Sequence, residues 1–383
     1  MSNLESITVA YEAKRYFSSQ TGFGIYNRTL VRNLAVYYSN NRYLLLAPSV
    51  DSTDPEVVRD FSFKQVERIG LGKGKTALGR AIRHRGVIKK NRVSIYHGLS
   101  QQIPRSIRHA NVRKVITIHD LAYKYFPTND YTDNDLKRRD KEIIGACASA
   151  DKIVAVSQNT KNDLTKLFSI DPDKVGVVYQ ACDDRYRDVV EGNRLSCVLR
   201  KYGLPDIYWL TVGTMSKRKN LHLIVEAMSK VPDRIRRPLV IIGKETEYTK
   251  TVRELAKSLG IEHLLIFPKN VSNTDLPAIY QGANIFLYVS LYEGFGIPVL
   301  EALCSRIPVI TSNVSSLPEA GGQESYLISP DDSSAVASAI EHIEHDKELR
   351  CRMIDSGYIY SQKFCGRVLA EEMMNLYKEV LAT

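Results

Sequence analysis

Twice along this chain, short apolar runs rich in β-branched residues alternate with stretches of helical spacing. The first series runs SITVAYEA, RYLLLAP, VSIYHG, KVITIHD and KIVAVS, and the last three end on a glycine or polar residue. After Asp183 the chain turns polar (DDRYRDVVEGNRLSCVLRKYGLPD). The alternation then starts again with YWLTVGT, LHLIVEAMSK, PLVIIGK, VRELAKSLG, LLIFPK, DLPAIYQGA and IFLYVS. Continuous apolar strands separated by helices are the pattern of a parallel sheet covered on both faces, so the expectation is α/β with two doubly wound domains. A length of 383 residues, 44% of them hydrophobic, is enough for two cores. The boundaries read from the pattern are 1–200 for an N-terminal Rossmann-like domain and 201–360 for a C-terminal one. Residues 361–383 form a helix whose apolar positions Val368, Met373, Leu376 and Val380 can pack back on the N-terminal domain.

Several classes of protein are excluded by simple features. The cysteines, at 147, 182, 197, 304, 351 and 365, form no C-x-x-C pair and no zinc spacing, which predicts a reduced, cytoplasmic protein. The N-terminus has no apolar segment of signal-peptide type, and no run approaches the roughly 20 apolar residues of a membrane span. Charge is uneven. Residues 1–200 hold 33 Lys and Arg against 21 Asp and Glu, and the remainder holds 20 against 22. Much of the excess lies between Lys64 and Arg92, where Glu67 is the only acid. Such a face suits an anionic membrane surface or a phosphorylated substrate, or it is a solvated helix without a partner. Nucleic acid is not expected, because no zinc-finger spacing, heptad repeat or aromatic RNA-binding motif accompanies the charge.

In open parallel sheets, ligands bind beyond the carboxyl ends of the strands. The chemistry-bearing residues of this chain cluster there. In SLYEGFGIPVLEAL, Gly294 and Gly296 let the backbone approach a ligand, Pro298 suits the first helical position, and the amides of a helix start favour an anion. Glu293 and Glu301 flank that turn. Carboxylates beside an anion site repel the anion, so they serve other groups, with sugar hydroxyls the first candidates. The alternative is that Glu301 only complements the helix dipole and Glu293 is a solvated loop acid. In VGTMSKRKN, Lys217, Arg218 and Lys219 stand together before a helix that Asn220 can cap, and an anion among them would relieve their repulsion. TGFGIYN, from Thr21 to Asn27, is a glycine turn that permits close approach of backbone but is not a dinucleotide fingerprint. His119 and Asp120 close one strand and His97 closes another. Either histidine can be a satisfied core residue or a functional one.

Together these segments resemble glycosyltransferase family 4, the retaining nucleotide-sugar enzymes of the GT-B fold. EGFGIPVLEA is similar to that family's E-x7-E motif, VGTMSKRKN to its phosphate segment, and TGFGIYNRTLVRNL to its N-terminal glycine loop. YHGLSQQIP, TIHDLAYKYFP and IVAVSQNTKNDL resemble segments of bacterial polysaccharide mannosyl- and rhamnosyltransferases. The resemblance implies two facing Rossmann-like domains with a deep cleft between them. It implies that Arg218 and Lys219 hold the donor diphosphate and stabilise it as it leaves. Glu301 would bind the ribose. Glu293 would sit by the transferred sugar with the amides of Gly294, Phe295, Gly296 and Ile297. Gly22 and Gly24 would admit the diphosphate, His119 would touch the sugar, and His97 and Asp120 would lie on the acceptor side. Base recognition would fall near Phe267–Val271, with Val271 in contact. Thr214 stands where many relatives carry a phosphate-binding Arg, which throws more weight on Arg218 and Lys219.

The implied reaction is front-side transfer with retention, the leaving phosphate oxygen taking the acceptor proton, so neither a protein nucleophile nor a metal or other cofactor is expected. The donor expected is a nucleoside-diphosphate sugar, with GDP-mannose first. The acceptor expected is a growing polysaccharide or its lipid carrier, at the inner face of the cell membrane. A rhamnosyl- or glucosyl-type transferase, a UDP-N-acetylglucosamine 2-epimerase and a catalytically silent GT-B binding protein are the rival readings. The intact glutamate pair and R-K-N segment argue against the last two.

Overall fold

A computed structural model of the chain describes residues 6–19, 22–72, 77–127 and 132–383, with backbone alone for 77–81. Thr21 of the glycine turn lies outside the described residues. Two units are present, Met1–Ala181 with Gly366–Thr383, and Cys182–Cys365. The division falls at 181/182 and 365/366, not at the 200/201 and 360/361 read from the sequence pattern. The reason is local. The polar stretch after Asp183 folds as a short 3-10 turn, Asp184–Tyr186, and its Tyr186 is buried edge-on against Tyr280 of the second unit, with ring centroids 5.3 Å apart.

The first unit is built on seven parallel strands: β1 (Thr8–Glu12), β2 (Arg42–Ala47), β3 (Val66–Gly70), β4 (Ile95–Gly98), β5 (Arg113–Ile118), β6 (Lys152–Ala155) and β7 (Val175–Val177), in the order β3-β2-β1-β4-β5-β6-β7. The central strands are buried on both faces, as expected where helices cover a parallel sheet. The helix Gly366–Ala382 belongs to this unit and packs against the helix Gly22–Tyr37.

The second unit has six parallel strands: β8 (Trp209–Val212), β9 (Leu239–Ile242), β10 (Leu265–Ile266), β11 (Ile285–Tyr288), β12 (Val309–Ser312) and β13 (Tyr326–Ile328), in the order β10-β9-β8-β11-β12-β13. Successive crossovers run outward from β8 through β9 to β10. The chain then returns to pair β11 with β8 and runs outward on the other side. The order therefore reverses between β8 and β11, and the crevice beyond the strand ends at such a reversal is where doubly wound sheets place their ligands. The segments VGTMSKRKN and LYEGFGI are those two loops.

Candidate active site

The loop after β8 approaches its neighbour closely. Gly213 has φ 148° and Gly243, after β9, has φ 153°. A Cβ on Gly243 would lie 1.9 Å from the Gly213 carbonyl oxygen, so only glycine fits there. Lys217–Lys219 forms a 3-10 turn, and Asn220 ends it at φ 59°. Asn220 does not cap the following helix, contrary to the reading from sequence. Its side-chain amide instead donates to the carbonyls of Val289 (3.0 Å) and Pro330 (2.7 Å), tying the β8 loop to the segments that follow β11 and β13. A left-handed turn is a natural place for Asn, which tolerates that conformation better than most residues.

This tie sets the cations against Glu293. Lys219 Nζ lies 2.6 Å from Glu293 Oε1, and Arg218 Nη1 lies 2.9 Å from Oε2. Arg218 also donates to the Tyr292 carbonyl at 2.6 Å, and Leu291 N donates to the Arg218 carbonyl at 2.8 Å. Lys217 stays exposed. The repulsion expected among three cations is thus met by the protein's own carboxylate. Glu293 is 8% exposed, which excludes the solvated loop acid. Burial alone would raise its pKa, but Lys219 and Arg218 outweigh that and hold it down at about 2. The carboxylate is ionised at any physiological pH.

Two serines shape the turn around it. Ser315, at φ 54°, accepts the Glu293 amide on Oγ at 3.0 Å. Ser316 Oγ donates to the carbonyls of Glu293 and Phe295, both at 2.8 Å. Phe295 is buried and packs on Phe364, with centroids 5.5 Å apart. Gly296 has φ 124°, and a Cβ there would crowd Leu317 and Ala320 at 3.0 and 3.1 Å. The helix Ile297–Cys304 then begins, with Pro298 in its first two positions. The first amides of any helix lack partners within it, so this start suits an anion. Gly294 and Ile297 are partly exposed beside it.

Glu301, in the second turn of that helix, is 8% exposed. It accepts the Tyr280 hydroxyl at 2.8 Å and also a hydrogen bond from Tyr186. Burial raises its pKa to about 7, and the two tyrosines only partly offset this. That environment is more than complementing a helix dipole requires. Thr214 is exposed beyond β8, and Val271 is half-buried in the loop after β10.

In the first unit His119 is 6% exposed, with its Nε2 2.8 Å from the Leu99 carbonyl. A carbonyl can only accept, so Nε2 carries the hydrogen and Nδ1 is the bare nitrogen, facing the Gln180 amide at 3.5 Å. The rings of Phe23 and Tyr26 stand edge-on to it at 4.5 and 4.7 Å. Burial lowers its pKa to about 4, so the ring is neutral. Asp120 caps the next turn through Ala122 N at 3.0 Å and stays partly exposed. Gly22 opens the helix Gly22–Tyr37, and a Cβ there would meet nothing within 4 Å.

Two expected site residues are core residues instead. His97 is 0% exposed, with Nδ1 2.7 Å from the Tyr377 hydroxyl and Nε2 2.8 Å from Thr117 Oγ1. Burial pushes its pKa down to about 3. It joins the sheet to the C-terminal helix and has no ring nitrogen left for an acceptor. Gly24 is buried, and a Cβ on it would lie 1.9 Å from the Ser19 carbonyl, so its glycine serves packing rather than ligand approach. Sequence reasoning missed Tyr186, Tyr280, Tyr288, Ser315 and Ser316, all of which touch Glu293, Glu301 or the turn between them.

Among the described residues, no group of three or more His, Cys, Asp or Glu could hold a metal ion. Two doubly wound parallel units are present, with a cation pair and two buried glutamates at the switch point of the second. Residues 21–186 match the family described as Glycosyltransferase Family 4, and residues 200–359 match Glycosyl transferases group 1. O-antigen chain mannosyltransferase B of Escherichia coli is 31% identical over 290 residues, 74% of each chain. The serotype-specific mannosyltransferase WbdA of Escherichia coli is 28% identical over 279 residues, 71% of this chain but only 34% of that longer protein. Among solved structures, Anabaena HepE in complex with UDP and glucose superposes with a TM-score of 0.77 over 97% of this chain and 100% of its own. At 15% identity that likeness speaks for the fold alone. The chain belongs to glycosyltransferase family 4.

Proposed function

We propose that the chain is a retaining mannosyltransferase. It takes mannose from GDP-mannose and adds it to a lipid-linked glycan in O-antigen synthesis. The observation that carries the reading is the grip of Glu293 on both Arg218 and Lys219 at the switch point of the second unit. Both relatives named above are mannosyltransferases, which supports the choice of sugar.

Breaking the bond between the anomeric carbon and the diphosphate leaves positive charge on the sugar and negative charge on the departing oxygen. Arg218 and Lys219, gathered there by Glu293, stabilise that oxygen as they turn toward it, and the helix start at Ile297 adds to them. Glu293, ionised throughout, accepts hydroxyls of the transferred sugar. Glu301, steadied by Tyr280 and Tyr186, takes the ribose hydroxyls. The acceptor proton goes to the leaving phosphate oxygen. In this reaction the diphosphate meets the cations that Glu293 holds in its absence.

A lipid-linked acceptor calls for a membrane surface. From Arg68 to His119 the chain has no Asp or Glu. The helix Ala77–Lys90 within that stretch exposes Arg83, Arg85, Lys89 and Lys90, with Ile82 63% exposed beside them. Cations around an exposed apolar side chain suit anionic headgroups. No helix of the described residues is long and apolar enough to cross a membrane, so contact would be peripheral.

The test is transfer from GDP-mannose, UDP-glucose and dTDP-rhamnose, each offered with a lipid-diphosphate-linked glycan. Mannose transfer with retained anomeric configuration is expected. Transfer from another donor replaces the sugar assignment, and transfer from none leaves a binding protein.

A further inference from the structure

Tyr288 is the last residue of β11 and is 3% exposed. Its ring stacks on Phe286, with centroids 5.8 Å apart, and its carbonyl accepts the Thr311 hydroxyl at 2.8 Å. The phenol itself faces two charged groups. The Tyr288 hydroxyl donates to Glu293 Oε1 at 3.2 Å and accepts a hydrogen bond from Lys219 Nζ. Lys219 Nζ also lies 4.7 Å from the centre of the Tyr288 ring. With the Lys219–Glu293 contact at 2.6 Å, the three groups form a closed triangle. A core needs no hydroxyl at the end of an apolar strand, and Phe would fill the same volume.

We infer that Tyr288 is a positioning residue for transfer. It fixes the Lys219 ammonium against the leaving diphosphate and keeps Glu293 oriented while the diphosphate draws on the cations. The inference rests on the reading of the cation pair as the diphosphate site. Burial and the adjacent Glu293 raise the pKa of the phenol well above its usual value, so it remains a hydrogen-bond donor to the carboxylate.

A diphosphate entering the crevice competes with Glu293 for Lys219 and Arg218. As the ammonium leans toward phosphate, its direct contact with Glu293 weakens. Tyr288 can hold both partners through that change, because its oxygen accepts from one while its hydrogen goes to the other. Lys219 is a long, flexible cation, and an untethered ammonium can still bind a diphosphate. Electrostatic stabilisation of a leaving group, however, depends on a charge fixed in place before the bond breaks. Removing the hydroxyl should therefore spare binding and harm turnover.

The experiment is steady-state transfer from the active nucleotide sugar by wild type, Tyr288→Phe, Lys219→Ala and the double variant, with GDP affinity and melting temperature measured alongside. Tyr288→Phe should lower kcat about ten- to hundredfold, the usual range for losing a hydrogen bond to a charged group. Donor KM and GDP affinity should stay within about threefold. In the Lys219→Ala background the same change should cost little more, because the tether then has nothing to hold. An unchanged kcat in Tyr288→Phe overturns the inference, as does a full, independent loss in the double variant. A loss of kcat matched by an equal loss of GDP affinity also overturns it, because the hydroxyl would then act in binding. If wild type transfers no sugar from any donor, the reading of the site falls and the inference with it. Transfer by wild type with an unaffected Tyr288→Phe variant sinks the inference alone.

Discussion

Lys219 Nζ lies 2.6 Å from Glu293 Oε1, on a carboxylate whose other oxygen takes Arg218 at 2.9 Å. Glu293 is thus the counter-ion of the two cations proposed to hold the diphosphate. Replacing Glu293 with Ala leaves two neighbouring cations unneutralised, and removing one partner of a buried ion pair typically costs about 3–5 kcal/mol. GDP should supply the missing anion. The Glu293→Ala variant should melt lower than wild type, gain more from saturating GDP, and bind GDP about three- to tenfold tighter, while transfer falls about 10²–10³-fold. Thermal melts with and without GDP check this. A smaller GDP-induced rise than in wild type contradicts it.

The depressed pKa of Glu293 has a definite sign in stability. Its contribution is complete above about 4.5, the ordinary glutamate value, and is lost as pH falls toward about 2. Glu301 works in the opposite sense. Its pKa is raised to about 7, so the folded protein holds that proton more tightly than the unfolded chain. Stability from this group falls as pH rises from about 4.5 to 7 and is flat above. Glu301→Gln keeps acceptors and donors for Tyr280 and Tyr186 without the buried charge. It should be more stable than wild type by about 1–3 kcal/mol at pH 8 and equal to it near pH 5. Urea denaturation at the two pH values checks the crossing.

Gly22 and Gly24 should separate cleanly. A Cβ at position 24 meets the Ser19 carbonyl at 1.9 Å, whereas one at position 22 meets nothing within 4 Å. Gly24→Ala should lose more than about 2 kcal/mol of stability through overpacking. Gly22→Ala should stay within about 0.5 kcal/mol of wild type, and any loss of transfer it shows then belongs to the ligand. Melting temperatures and transfer rates of both variants decide the point.

Membrane contact through the basic helix predicts binding to vesicles rich in anionic lipid, weakened by salt, with little binding to neutral ones. Lys89→Ala with Lys90→Ala should weaken the anionic binding about thirtyfold, at about 1 kcal/mol for each cation near the surface. Equal sedimentation with anionic and neutral vesicles removes the proposal.

Much of this was legible beforehand, for physical reasons. Runs such as IFLYVS and KVITIHD are apolar on both faces because helices cover both sides of a parallel sheet, so the class follows from the pattern, whereas the strand order does not. Strand β3 was harder, since VERIG at the sheet's edge is only partly buried and lies in a basic stretch. Tyr186 was hidden because a polar neighbourhood reads as a connector while one aromatic side chain buries itself. Glu293, Arg218 and Lys219 could be picked out by charge, but their mutual contact could not, because it depends on Asn220 bridging two distant loops. Tyr288 and Tyr280 look in sequence like any core aromatic, and only their hydroxyl partners mark them. His97 and His119 occupy equivalent strand ends, yet one is locked between Tyr377 and Thr117 and the other borders Gln180, a difference set by a helix 280 residues away from His97.

The most direct test of the central claim is calorimetric titration of GDP, UDP and dTDP into wild type and Lys219→Ala. The account predicts that GDP binds wild type best and that the variant binds it at least about tenfold more weakly, the loss of one charge-assisted contact to phosphate. Equal GDP affinity in the two proteins, or no binding of any of the three nucleotides to wild type, would contradict it.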